Sequence, residues 1–254
     1  MLKVEQSGPV LRVQLNRPEV RNALNEELID AISSLYSTVS DAIRVIVLEG
    51  NGATFCAGGD LDWMRRAAHY TEEENYLDAM NIAKMFAAIR DAKPVTIASV
   101  HGAAMGGGAG IVACCDIAIV TEDSKYAFSE VKLGLIPATI SPFVIDKIGK
   151  GHARALFATG EVFGASHAFH IGLVHEVVSV RDRENAITKK IRGILTAGPY
   201  AIKGAKDLVL DSPLSREETA TRLAKARASE EGIEGISAFL EKRSPSFVES
   251  IQAD

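Results

Sequence analysis

The feature that most constrains the fold is a unit of apolar run, glycine-rich loop and helix that occurs twice in the first half of the chain. In the first unit the segment 44–49, apolar at 45–48, precedes the loop 54–59, and in the second the run 94–100 precedes the loop 101–108. Short apolar runs bounded by glycine predict buried strands. The two units, spaced by about fifty residues, therefore predict an α/β core.

The flanking patterns extend this core toward the N-terminus. Alternating polarity at 2–6 and at 10–16, separated by the turn residues 7–9, predicts a β-hairpin at the start of the chain. Asn25 is placed to cap a helix that continues to about residue 39, because the apolar residues that follow share one helical face.

Beyond the second unit, strands are predicted at 116–121 and 126–128, and the chain is mostly helical from residue 141 onward. Capping-box patterns, in which glutamate follows threonine or serine by three residues, predict helix starts at Thr71 and Ser215.

No linker or abrupt change of composition divides the chain. We expect one principal domain at 1–195 and a C-terminal helical region at 196–254. Near the end, Ile236, Phe239 and Leu240 form one apolar helical face. A terminal helix cannot bury such a face alone, so we expect it to pack on the core or on a neighbouring subunit.

Composition excludes several classes of protein. The 254 residues are 47% hydrophobic and carry a formal net charge of -5, which argues against a nucleic-acid partner. No apolar run approaches the roughly 18 residues of a membrane span, and the N-terminus lacks a secretory pattern. We expect a cytoplasmic protein without a membrane partner. The cysteines Cys56, Cys114 and Cys115 are expected to be reduced thiols.

Two glycine loops that open helices indicate chemistry performed by the backbone. Glycine lets main-chain N–H groups approach a ligand closely, and a pair of converging N–H donors is what an acyl oxygen needs if it becomes negative during a reaction. Either loop alone could be no more than a tight turn. Dinucleotide, P-loop and nucleophile-elbow motifs are absent from the sequence, so those classes lose support.

These segments resemble the paired signatures of the enoyl-CoA hydratase/isomerase (crotonase) superfamily, and the resemblance covers nearly the whole chain. The family implies a spiral of ββα units with a helical C-terminal region, an acyl-CoA thioester substrate, and a homotrimer or homohexamer. Coenzyme A is then part of the substrate, with no separate cofactor. No metal is expected, because no carboxylate or cysteine completes a ligand set around His167, His170 and His175. The matching segments are 16–18, 22–24, 55–61, 101–108, 116–118 and 172–174.

The resemblance also implies roles for individual residues. The amides of Ala57 and Gly107 would form an oxyanion hole, and Lys242 or Arg243 would reach the CoA phosphates across a subunit contact. The residues expected to contact the CoA or acyl parts of the substrate, largely through backbone groups, are Arg21, Ala23, Gly59, Asp60, Leu61, Met105, Gly106 and Pro137.

The two glutamate positions of the family help to distinguish which reaction this chain would catalyse. Hydratases of the family have two glutamates, one two residues after the triple glycine and the other twenty residues further on, and here these positions are Gly110 and Glu130. Glu130 follows an apolar segment, so burial is expected to raise its pKa and let it exchange a proton with the thioester α-carbon. The alternative is an exposed glutamate at a strand end.

Three functions stay open at this point. The segments 60–64, 70–75 and 133–142 resemble a bacterial branch of methylglutaconyl-CoA and isohexenylglutaconyl-CoA hydratases that degrades leucine and acyclic terpenes. In a hydratase, Glu130 would protonate Cα while water adds at Cβ. A Δ3,Δ2-enoyl-CoA isomerase needs a single proton shuttle, and the glycine at position 110 also allows a silent acyl-CoA-binding protein.

Overall fold

The computed structural model describes residues 1–250, and within them one large sheet forms the centre of the fold. The strand order is β1-β2-β3-β4-β6-β9, with β1 antiparallel to β2 and every other neighbouring pair parallel. A smaller sheet has the order β5-β7-β8. The strands are β1 (Leu2–Ser7), β2 (Val10–Leu15), β3 (Val45–Gly50), β4 (Val95–Val100), β5 (Ala103–Met105), β6 (Ile117–Thr121), β7 (Lys125–Ala127), β8 (Phe163–Gly164) and β9 (Glu176–Val178).

Ten helices lie between and after these strands along the described part of the chain. They are α1 (Glu26–Thr38), α2 (Leu61–Ala67), α3 (Glu72–Arg90), α4 (Gly107–Cys114), α5 (Ser141–Thr159), α6 (Ala165–His170), α7 (Arg183–Leu195), α8 (Pro199–Leu210), α9 (Arg216–Ala228) and α10 (Glu230–Leu240). Short 3-10 helices occupy Pro18–Val20 and Glu130–Leu133. The α/β architecture predicted from the sequence is confirmed.

The two apolar runs are the central strands of the large sheet. β3 and β4 pair in parallel, starting with Val45 opposite Val95, and nearly all their side chains are buried. A parallel strand covered on both faces needs apolar side chains at consecutive positions. This is why continuous apolar runs, and not alternating patterns, marked these strands in the sequence.

The predicted hairpin and caps are also confirmed. β1 and β2 pair in antiparallel register with Ser7 opposite Val10, and Gly8 has a φ of +55° in the turn. Asn25 accepts a hydrogen bond from the Leu28 N–H at the start of α1. The capping boxes at Thr71 and Ser215 form in both directions.

The strands β5, β8 and β9 have no counterpart in the sequence prediction. They contain two or three residues each, which is too few for a period to be recognised, and the last two lie in a stretch predicted to be mostly helical. β9 exists because the edge of β6 offers it a partner, with Val120 opposite Val177.

By contacts, the chain divides into two compact units, residues 1–187 and the residues from Thr188 onward. The division falls inside α7, whereas the sequence placed it at the end of that helix, after residue 195. In the first unit lie both sheets and both glycine loops. Among residues 1–250, no helix has the length and apolar character that crossing a bilayer requires.

A buried asparagine connects the N-terminal segment to the first glycine loop. Asn22 has a φ of +55° and is fully buried. Its side-chain oxygen accepts from the Arg17 N–H at 2.9 Å, and its amide nitrogen donates to the carbonyls of Asn51 and Thr54, both at 2.8 Å. These bonds hold the chain around residue 21 against the loop at 51–54.

We expect Asn22→Gly to lower the free energy of unfolding by about 2 to 3 kcal/mol, because it leaves buried backbone groups without partners. Asn22→Ala should cost about 1 kcal/mol more, since alanine resists a positive φ. Urea unfolding of both variants measures this. Asn75→Ala is the matched control, because that exposed side chain also donates to two carbonyls. An Asn22→Gly variant as stable as the parent would contradict this account.

Candidate active site

The two glycine loops lie side by side and are joined by backbone hydrogen bonds. The Cys56 N–H donates to the carbonyl of Ala103, and the Met105 N–H donates to the carbonyl of Cys56, both at 3.0 Å. A Cβ added at Gly58 would lie 3.0 Å from the Met105 carbonyl oxygen, and one at Gly108 would lie 2.6 Å from that of Cys56. Glycine is therefore required for this close approach of the loops.

The second loop presents an unused amide at the start of a helix. The Gly106 N–H donates to the Ala127 carbonyl at 2.8 Å, and the backbone then turns with a φ of +48° into Gly107, the first residue of α4. None of the described residues accepts a hydrogen bond from the Gly107 N–H. The first N–H groups of a helix carry its positive end, so this amide is available to an anionic oxygen.

The first loop requires a correction of the sequence prediction. The Ala57 N–H donates to the Arg21 carbonyl at 3.0 Å, so it is not available as an oxyanion-hole donor. The hydrogen bonds of the neighbouring residues, from Leu24 N–H to Gly58 and from Asp60 N–H to Leu24, turn the Gly59 N–H away from that segment. No described residue accepts from Gly59. The available donor of this loop is Gly59.

Glu130 brings a carboxyl group to the second loop. It opens the 3-10 helix and is half-buried, so the alternative of a solvent-exposed glutamate does not hold. Its Oε1 lies 3.3 Å from the position that a Cβ of Gly106 would occupy. Its Oε2 is buried without a hydrogen-bond partner among the described residues. Burial raises the pKa of Glu130, and a hydrogen bond from its own backbone N–H opposes this only in part.

The position of the missing second glutamate is filled by apolar side chains. Gly110 is buried in α4. A Cβ built on it would overlap Cγ2 of Ile140 and lie 3.0 Å from the Ile140 Cβ and from Cε1 of Phe86. A carboxylate at this position would therefore need Ile140 to move.

Comparison with known proteins agrees with this geometry. Residues 5–250 match the family model described as enoyl-CoA hydratase/isomerase. The chain belongs to the enoyl-CoA hydratase/isomerase family.

Relatives and solved structures support this membership over nearly the full length. The crotonyl-CoA hydratase of Syntrophomonas wolfei is 30% identical, with 96% of this chain and 96% of the relative covered. The 2,3-dehydroadipyl-CoA hydratase of Escherichia coli is 31% identical, with 97% and 98% covered. The crystal structure of an enoyl-CoA hydratase from Shewanella pealeana is 35% identical, with a TM-score of 0.93 and 96% and 95% covered. The protein is therefore an enzyme of this family with its crotonase-type fold.

Asp60 was expected to contact substrate, and its side chain is fully engaged within the protein. It accepts from the N–H groups of Asp62 and Trp63 at the start of α2 and forms a 2.9 Å ion pair with Arg17. Burial raises the pKa of Asp60, but these hydrogen bonds outweigh it and leave the pKa below its ordinary value. The Asp60 carboxylate is thus ionised and holds the first loop on α2.

The other residues expected at the substrate site differ in exposure. Arg21 has an exposed side chain and left-handed backbone, while Ala23 is buried and its carbonyl accepts from Arg17 at 2.6 Å. Leu61 is 70% exposed. Met105 is half-buried.

Pro137 is buried between exposed neighbours, and Gly106 faces Glu130. Lys242 is exposed and has a φ of +56°. Arg243 forms ion pairs with Glu234 and Glu241, so its guanidinium already has partners within the C-terminal helices.

Cys56 lies next to the paired loops and is buried as a free thiol. Burial raises the pKa of Cys56 to about 12. A thiol of this kind is protonated at neutral pH and is not a nucleophile. Within residues 1–250, His, Cys, Asp and Glu side chains nowhere gather in a group that could hold a metal ion.

We expect Gly110→Ala to lower the free energy of unfolding by about 2 kcal/mol, because it overpacks the contact with Ile140. Destabilisation by this substitution would be unusual, since alanine in place of glycine inside a helix normally stabilises the helix by about 1 kcal/mol. Gly204→Ala in α8 is the control, because a Cβ there meets open space. In an Ile140→Ala background the penalty of Gly110→Ala should be clearly smaller, because the 2.3 Å overlap with Cγ2 of Ile140 is removed. An equal penalty in both backgrounds would refute the assigned overlap.

Proposed function

We propose that this enzyme hydrates a 2-enoyl-CoA, with the thioester oxygen held by the amides of Gly59 and Gly107 and with Glu130 transferring the proton at Cα. One observation carries the proposal. Two backbone N–H groups without partners belong to adjacent loops, and a half-buried carboxyl faces the residue before one of them.

The two amides would stabilise the enolate that forms when the Cα–Cβ double bond is attacked. In that intermediate the thioester oxygen carries negative charge, which preformed N–H donors stabilise without rearrangement. The Gly107 donor has the added field of α4, because it stands at the positive end of that helix. Both donors are backbone groups, so neither depends on the identity of a side chain.

Glu130 would supply the proton that completes the addition. The water oxygen bonds to Cβ, the electron pair of the double bond moves onto the thioester as the enolate, and Cα then takes a proton from the carboxylic acid. The proton that the added water loses returns to the Glu130 carboxylate, which restores the acid. A carboxyl group at this position is suited to the role because its desolvation raises its pKa, so it holds a proton closer to neutral pH than an exposed glutamate does.

Isomerisation of a 3-enoyl-CoA is the second candidate, and the filled site at Gly110 favours it. Hydration calls for a group that positions and deprotonates water, and the second glutamate of other hydratases is replaced here by glycine packed against Ile140. An isomerase needs only one carboxylate, which removes a proton from C2 and returns it at C4. Relatives named as hydratases support the first candidate.

The acyl group is proposed to be branched or of the glutaconyl type. The segment 133–142 carries this resemblance, and its alanine, threonine and isoleucine at 138–140 replace the glycines of typical fatty enoyl-CoA hydratases. Ile140 is also the side chain that fills the space beside Gly110. A change of acyl specificity at this position therefore has a structural basis.

The active form is proposed to be a cytoplasmic homotrimer or homohexamer, as in the family. Apolar side chains of α10 support an association surface, because Ile233, Ile236 and Phe239 are 55%, 51% and 82% exposed.

We expect Gly59→Pro to lower kcat by about 10²-fold to 10³-fold, because proline has no N–H and the loss of one oxyanion-hole donor has this effect. Gly59→Ala is the matched control, since it retains the amide and its Cβ would lie 3.4 Å from the flexible Met64 side chain. Steady-state kinetics, with unfolding curves for both variants, measure this. If Gly59→Pro folds and turns over as fast as Gly59→Ala, Gly59 is not a donor.

A panel of enoyl-CoA thioesters in heavy water tests the proposed reaction. Hydration of a 2-enoyl-CoA adds oxygen at Cβ, whereas isomerisation of a 3-enoyl-CoA moves the double bond without adding oxygen. Glu130→Gln should abolish either reaction and leave the affinity for CoA nearly unchanged. Full activity of Glu130→Gln would eliminate the assigned role, and absence of α-proton exchange with every thioester would favour a non-catalytic acyl-CoA-binding protein.

The pH dependence separates the two reactions. The proton donor of hydration must be protonated, so kcat falls as pH rises through the pKa of Glu130. The base of isomerisation must be ionised, so kcat falls as pH decreases through the same pKa. In both cases the midpoint should lie above the ordinary glutamate value of 4.5, because burial raises this pKa.

A further inference from the structure

The first turn of α2 folds over one of the two proposed donors. A Cβ at Gly59 would lie 3.4 Å from Sδ of Met64 and 3.6 Å from Cζ3 of Trp63. The Asp60 cap fixes the beginning of this turn. The Trp63 ring edge therefore lies beside the Gly59 backbone, next to the amide that would bind a thioester oxygen at about 2.9 Å.

The indole of Trp63 is held from its other end by a carboxylate on α3. Its Nε1 donates to Oδ1 of Asp78 at 3.2 Å. Asp78 is half-buried. Burial raises the pKa of Asp78, and the nearby charge of Glu26 also raises it. The hydrogen bond from Trp63 lowers this pKa. The proposed reaction uses neither Trp63 nor Asp78.

Helix α3 also contacts the second donor. Phe86 lies eight residues after Asp78, on the same stripe of the helix and about 12 Å further along it. Its Cζ is 3.8 Å from the Cβ position of Gly107, and its Cε1 is 3.0 Å from that of Gly110. Ile82, between them, packs against the core. One rigid helix thus supports Trp63 over Gly59 at one end and Phe86 beside Gly107 at the other.

We infer that Asp78 is a positioning residue, which holds the Trp63 indole over Gly59 so that the indole forms a wall of the acyl site and limits the acyl groups that the two amides accept. The inference rests on the proposed function. It adds a residue that acts on the acyl site through the Trp63 side chain. A purely structural hydrogen bond, by contrast, would dock α2 on α3 and affect stability alone.

The single tryptophan of the chain makes this arrangement measurable in the unlabelled protein. All tryptophan fluorescence comes from Trp63, so its emission reports directly on the proposed wall. Butyryl-CoA, a saturated thioester that can be neither hydrated nor isomerised by the proposed reactions, should shift or quench this emission. Free CoA should not do so, because it lacks the acyl group.

Two variants of Asp78 distinguish the effect of its hydrogen bond to the Trp63 indole from the effect of its negative charge. Asp78→Asn retains an oxygen that accepts from the indole N–H, and it should keep the fluorescence response and kcat near the parent values. Asp78→Leu has similar volume without an acceptor. It should raise the accessibility of Trp63 to acrylamide and weaken the response to butyryl-CoA. It should also lower kcat/KM about fivefold, the equivalent of one side-chain hydrogen bond of about 1 kcal/mol.

A Trp63→Phe background completes the test. If Asp78 acts through the indole, Asp78→Leu should have no further effect on kcat/KM once the N–H is gone. The inference is overturned if Asp78→Leu lowers kcat/KM equally in both backgrounds, or if it folds and leaves the fluorescence response and kcat/KM unchanged. The butyryl-CoA response requires no turnover, so it stays interpretable even if Glu130→Gln retains activity and the proposed reaction fails.

Discussion

The pairing of the two glycine loops through Cys56 and Ala104 is the contact on which the site depends. Their backbones approach so closely that a Cβ at Gly58 or Gly108 would collide with the opposite loop. In these two loops the amides of Gly59 and Gly107 have no partner among the described residues. Backbone N–H groups with little access to water usually have a partner, so these two half-buried amides are candidate donors to a ligand.

Apolar side chains beside Gly110 distinguish this protein from hydratases that have a glutamate at that position. Of the family's two carboxylate positions, one is Gly110 here, and Ile140 and Phe86 pack against the place where its Cβ would lie. Only the other position, Glu130, brings a carboxyl group to the second loop. The surroundings of Gly110 are consequently apolar, and burial raises the pKa of Glu130.

Local patterns predicted most of the secondary structure because their causes are local. The Asn25 cap and the capping box at Thr71 depend on residues three positions apart, and the apolar runs of β3 and β4 follow from burial on both faces. The short strand β9 could not be predicted in this way, because it depends on an edge of β6 that is distant in sequence.

The family and the α/β core could be recognised from the sequence, since they follow from motifs and from residue types at fixed spacing, and the same resemblance predicted Glu130 and Gly107 as site residues. The available amide of the first loop became known from the three-dimensional structure. Ala57 and Gly59 are two residues apart, and the difference lies in the Arg21 carbonyl, which occupies one N–H and leaves the other. The type of a residue does not show whether its backbone N–H is available, because this depends on which distant segment of the chain accepts a hydrogen bond from it.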